Sequence, residues 1–136
     1  MPSIHNIDHE RKLIITSWEG DIHDQELIST LIAYQKNIQS QPELTDFHEL
    51  LDFTQARKIK LSRYGIRNLS KIAVLTDAQR SHTKLAIIVN SALAYGFARM
   101  YIAYRSFSND SSKDIQVYRN YHDAMNWITN TSDDAD

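Results

Sequence analysis

"KLAIIVNSALAYGFARMYIAYRSF", Lys84 to Phe107, is the stretch whose reading decides the fold. It opens on a continuous apolar run, as expected of a strand covered on both faces; a strand with one wet face would alternate. Ser91 then offers a side-chain oxygen to the free N–H groups at a helix start. The residues beyond it follow helical spacing to about Phe107. A buried strand that feeds directly into a helix is the repeating unit of a parallel α/β sheet.

The helix itself is unusual. Gly96 lies in its interior, at a cost of ~1 kcal/mol relative to alanine, and Arg99 stands in an otherwise apolar segment. Leu93, Phe97, Met100 or Tyr101, and Tyr104 form one stripe, read as the anchor to the core. Ala92, Gly96, Arg99 and Ala103 form a second stripe. Its small residues leave room for a close neighbour: the sheet, another helix, a second subunit or a ligand.

Working outward, the rest of the chain has the same grammar. "SIHNIDH" and "LIITSWE" read as two strands joined by the short polar turn "HERK", hence an antiparallel hairpin that Gly20 ends. Asp21 to Ser40 reads as a helix, with Leu27, Ile28, Leu31, Ile32, Tyr34 and Ile38 at helical spacing and Pro42 beyond its end. "FHELLDF", Phe47 to Phe53, is a third strand, and "TQARKIKL" reads as a polar connection. Ser62 caps a helix that runs to about Thr76. "DIQVYR" is a fifth strand after the buried fourth, and Tyr121 to Thr129 a final helix. The order ββαβαβαβα implies one layered α/β domain over residues 1–130, built on a mixed, mostly parallel five-stranded sheet. Residues 131–136 read as an acidic, disordered tail.

Composition narrows the function classes. The chain has 136 residues, 42% of them hydrophobic, and a formal net charge of -2 from 15 basic and 17 acidic side chains. No global field favours nucleic acid. There is no cysteine, which removes thiol catalysis, disulfides and cysteine-ligated metals. No basic segment with an apolar run opens the sequence, and no run approaches the ~20 residues that span a bilayer, so a cytoplasmic protein without a transmembrane segment is expected.

Few constellations carry chemistry. His5 and His9 share a strand face but stand about 13 Å apart at ~3.3 Å per residue, too far for one metal ion. His23, His48, His82 and His122 lie on separate elements, so no metal site is expected. No Gly-x-Ser-x-Gly surrounds Ser91 and no glycine-rich phosphate loop exists, so neither a catalytic residue nor a cofactor is assigned. Arg57, Lys58, Lys60, Arg63, Arg67 and Lys71 form a local basic patch, suited first to solvent, next to an acidic protein or lipid surface and last to nucleic acid. The C-terminal ends of parallel strands are where open α/β sheets bind ligands. Asp52, Thr54, Asn90, Ser91, Tyr95, Gly96 and Arg99 are therefore the candidates for a ligand- or partner-binding site. An Arg99–Asp52 ion pair is the simplest structural alternative.

The pieces "LIITSWEGDI", "LLDFT", "AIIVNSALAYGFARMY" and "VYRNYHDAMNWI" together resemble the SpoIIAA-like family of the STAS-like superfamily. The resemblance implies the fold and a non-enzymatic regulatory or protein-binding domain, with a protein partner or a homodimer. The family's anti-sigma antagonists are phosphorylated on a serine that opens a helix, and Ser62 falls at that place. Leu61 and Arg63 replace the acid and serine expected beside it, and Gly65 is displaced, so helix capping is the better reading of Ser62 than phosphorylation. The alternative function is a small-molecule or lipid carrier with a pocket near Arg99 and Asp52, taking a small anionic or lipid ligand. An enzyme would need Arg99 to hold an anion while Asp52 or a histidine moved a proton.

Overall fold

The computed structural model describes residues 3–75, 83–106 and 114–129. The expected tail, Thr76 and Phe107 lie outside them. Strands β1 (Ser3–Asp8) and β2 (Leu13–His23) lead into helix α1 (Asp24–Ser40) and a short 3-10 helix (Pro42–Asp46). They are followed by β3 (His48–Lys60), α2 (Arg63–Val74), β4 (Lys84–Ile88), α3 (Ala92–Ser106), β5 (Asp114–Tyr118) and α4 (Tyr121–Thr129). The five strands lie side by side in the order of the sequence. Only the β1–β2 pair is antiparallel. The α/β reading and the mixed, mostly parallel sheet are thus as expected.

That strand order determines where the helices go. Each parallel step moves one place in the same direction, and right-handed crossovers then deliver every connecting helix to the same face. Accordingly α1, α2 and α3 form a row on one face, with α2 between its neighbours. The opposite face receives only α4, whose Ala124 and Ile128 bury Leu13, Leu50, Ala86 and Ile88. Alternation along β4 sorts the two layers: Ala86 and Ile88 meet α4, while Leu85, Ile87 and Val89 meet Ala94 and Ala98 of α3.

Three element boundaries differ from the sequence reading. "TQARKIKL" is strand, not connection: β3 runs 13 residues and pairs with β2 as far as His23↔Lys60. Its apolar residues Ile59 and Leu61 pack on Trp18, Ile22 and Leu27, while Lys58 and Lys60 stay exposed. The charges of this arm hid its alternation. Gly20 does not end β2 either. It has φ +72 and lies between two register shifts in the β2–β3 pairing, and the strand continues beyond it. A bulge of this kind uses the positive φ that glycine adopts without strain. As a result β2 and β3 overhang β4 and β5, which are 5 residues each, as a two-stranded arm. Helix α1 correspondingly starts at Asp24 rather than Asp21.

The N-termini of α1 and α2 are fastened to one another. Ser62 Oγ accepts the N–H of Gly65 at 2.9 Å, as the expected N-cap. The same hydroxyl donates to Asp24 Oδ2 at 2.6 Å, and the Ser62 N–H donates to Asp24 Oδ1 at 3.0 Å. The Asp24 carboxylate therefore lies against Gly65, and a Cβ added there would collide with it. Alanine is normally better than glycine in a helix by ~1 kcal/mol. Here Gly65→Ala is expected to destabilise the native chain by displacing Asp24, yet to stabilise an Asp24→Ala chain by ~0.5–1 kcal/mol. Urea denaturation of the four proteins of this cycle measures the coupling; additive effects would refute the lock.

Candidate ligand cavity

The face covered by three helices encloses a cavity of about 120 Å³. Its floor is the alternating set that this face requires: Thr16 and Trp18 of β2, Glu49, Leu51 and Phe53 of β3, Leu85 and Ile87 of β4, and Val89 just beyond it. Its roof comes from Leu27, Leu31 and Tyr34 of α1, Ile66, Leu69 and Ala73 of α2, and Ala94, Phe97, Ala98 and Tyr101 of α3. Alanine at positions 94 and 98 puts little volume above the large β4 side chains, and the space is left beside them.

Helix α3 is rotated from the expected orientation. Its buried residues are Ala94, Ala98 and Arg105, and Tyr101 completes this stripe at steps of three and four. Leu93, read as an anchor, is 63% exposed. Ala92, Gly96, Arg99 and Ala103 all face outward, and nothing lies within 4 Å of where a Gly96 Cβ would be. The close approach is made by the alanines one step round the helix. The arginine that enters the protein is Arg105, 3% exposed, not Arg99.

The candidate residues consequently separate. Asp52 points to the face opposite the cavity, because Leu51 and Phe53 on either side line it. Its Oδ1 accepts from the Thr54 N–H at 2.9 Å and hydroxyl at 2.7 Å. Asn90 Nδ2 donates to the Thr54 carbonyl at 2.9 Å, so these three do meet. Ser91 Oγ accepts the Ala94 N–H at 3.1 Å as the cap of α3. Tyr95 lies under the Arg119 guanidinium, 5.9 Å from the ring centroid. Arg99 is exposed and makes no ion pair among the described residues, so the Arg99–Asp52 pair is not formed. In the basic patch Arg57 pairs with Asp21 at 3.0 Å; Lys58, Lys60, Arg63, Arg67 and Lys71 are exposed.

The cavity has a polar end that the sequence reading missed. It lies toward the N-terminal edge of the parallel strands, since Thr16, Glu49, Leu85 and the last turn of α3 meet there. Thr16 and Glu49 are buried, and Arg105 donates from Nη1 to the Tyr101 hydroxyl at 2.7 Å while lying over its ring. His5 closes this end from β1, with Nδ1 2.9 Å from Thr16 Oγ1 and its ring stacked toward Tyr34. The available signal was the alternation Ile14, Thr16, Trp18 on β2 and the continuation of the alanine stripe to Arg105. Among the described residues no group of three His, Asp or Glu side chains could hold a metal ion. No helix among them is long and apolar enough to cross a membrane.

No protein-family model matches the sequence, and no curated protein matches it. A solved structure does. It is an uncharacterized protein of the DUF3478 family from Shewanella loihica PV-4, described as having a SpoIIAA-like fold. The likeness covers 93% of each chain with a TM-score of 0.58, at 12% identity. The fold is SpoIIAA-like. At that identity the likeness speaks for architecture, and the SpoIIAA-like scaffold is what places three helices over one face and the cavity beneath them.

Partial burial holds the His5 pKa below its ordinary value of about 6.5, because desolvation penalises the imidazolium. The sign follows. Above pH ~6.5 both folded and unfolded His5 are neutral. As the pH falls toward the lower folded value, the unfolded chain takes up the proton first and stability is lost. Asp8, held low by the Arg11 backbone N–H and guanidinium, and Asp21, held low by its hydrogen bond to Arg57, titrate below the ordinary carboxylate range and outside this window. Melting temperature is therefore expected to drop between pH 7.5 and 5.5, and by less in His5→Asn; equal drops would overturn this account.

Proposed function

We propose that the protein is a non-enzymatic binding domain that holds a small apolar molecule in the cavity between the sheet and helices α1 to α3. The observation that carries this reading is the cavity itself. Its walls are mostly hydrocarbon, gathered from three helices and four strands, with His5, Thr16, Glu49 and Arg105 at one end. Ligand sites in proteins have this make-up. Engineered apolar cavities of about 150 Å³ take up benzene, so a space of about 120 Å³ suits a single ring or a short chain. The site lies away from Arg99 and Asp52, so the carrier reading is retained and its pocket relocated.

A regulatory use of such a domain rests more naturally on the ligand than on phosphorylation of Ser62. The Ser62 hydroxyl is engaged by both Asp24 and the Gly65 N–H. A phosphate there would break the cap and set its charge against a carboxylate.

Toluene serves as the probe. Its binding is expected to raise the melting temperature in a concentration-dependent manner, by mass action on the folded state. Ala98→Met and Ala94→Met extend side chains into the cavity and are expected to abolish that rise while leaving the chain folded. Differential scanning fluorimetry with and without millimolar toluene decides the matter. No rise in the native protein, or the same rise in both variants, would refute the proposal.

A further inference from the structure

Trp18 lines this cavity and carries a buried donor that packing alone does not account for. It is 3% exposed and lines the cavity. Its ring stacks on Phe53 with centroids 5.6 Å apart and planes 14° apart. Its indole Nε1 is buried and has no hydrogen-bond partner among the described residues. An indole nitrogen is a donor and nothing else, so only an acceptor can satisfy it. Buried donors are almost always paired, and one that is not calls for an explanation.

Packing does not supply that explanation. Phenylalanine would stack on Phe53 and contact Ile22 and Leu27 without introducing a donor. The surroundings also limit the acceptor. Leu27, Phe53, Ile59 and Leu69 are hydrocarbon neighbours, and the polar end of the cavity lies on the Thr16 side, toward Arg105. A carboxylate at Trp18 would be desolvated against one N–H, which is far from adequate compensation. An uncharged oxygen needs only that one bond. A ligand with no acceptor would leave the donor unmet, and would forgo any solvent that pairs with it in the unliganded protein.

We propose that the cavity selects a small apolar molecule carrying one uncharged hydrogen-bond acceptor, a ketone, aldehyde or ether oxygen, and seats that oxygen on Trp18 Nε1. The inference rests on the proposed ligand-binding function and adds the ligand's chemical class and the residue that reads it.

Acetophenone and α-methylstyrene test it, since they differ by a carbonyl oxygen in place of a methylene group. The native protein and Trp18→Phe are titrated with each. The hydration of the two ligands cancels when the ratio of their dissociation constants is compared between proteins. The preference for acetophenone is expected to fall about tenfold in Trp18→Phe, equivalent to ~1.4 kcal/mol. In the native protein, nitrogen-15 NMR is expected to show the Trp18 indole proton moving downfield with acetophenone and not with α-methylstyrene. That readout decides alone if Trp18→Phe does not fold, and Trp127→Phe assigns the signal. An unchanged preference, or equal shifts with both ligands, would overturn the inference and leave the cavity function standing. Benzoate binding as tightly as acetophenone would overturn the uncharged class. Failure of both neutral ligands to bind the native protein would overturn the inference together with the function on which it rests.

Discussion

The architecture depends on the handedness of the crossovers in a sheet whose strands keep their sequence order. With β2 to β5 parallel and each one place further along, the helices between them have one face available. Three helices must then share that face, and the middle one, α2, has to fit between its neighbours. At the α1 margin, large residues such as Ile38 and Phe47 fill the space with Ile14. Under α3, whose only fully buried apolar residues are Ala94 and Ala98, closure is incomplete. The other face has a single helix and a tight apolar contact instead: Ala124 is 0% exposed against Leu50 and Ile88, which are also fully buried. Topology thus sets one helix against one face and three against the other, and the cavity lies under the three.

The same constraint explains what could be read in advance. The apolar run at Leu85–Val89 demanded cover on both faces and received it, and with it the parallel sheet and the element order followed. The stripe assignment within α3 was out by about one residue, some 100° around the helix. Leu93, Phe97 and Tyr104 outweighed Ala94 and Ala98 in hydrophobic size. But a helix that must approach a sheet closely is chosen by smallness as much as by hydrophobicity. Gly96 drew the eye as the smallest residue, and it lies on the solvent side, where a missing side chain costs little beyond helix propensity.

Charge misled in a parallel way. Arg99 stood out because its sequence neighbours are apolar, yet an arginine among apolar residues on a helix can lie on the exposed face. Arg105 was inconspicuous near the helix end and is the one that the fold buries, over Tyr101. The basic residues of "TQARKIKL" likewise obscured a strand whose alternate positions, Ile59 and Leu61, are half-buried. In an overhanging two-stranded arm one side is wet along its full length, so cations there are compatible with β structure. Neither fact is local: each requires knowing which face the tertiary structure covers.

Trp18 shows how the site and the fold share residues. The indole is part of the apolar layer that joins the β2–β3 arm to α1, with Ile22 and Leu27. Its stacking and burial are what a core residue contributes. Its N–H works against that role, because an unmet buried donor costs ~1–3 kcal/mol. A domain that is stable by a margin of ~5–15 kcal/mol can carry one such group. The cost recurs in every folded molecule, and only an acceptor brought from outside the chain's own described groups offsets it. The residue that weakens the unliganded core is therefore the one best placed to distinguish one cavity occupant from another.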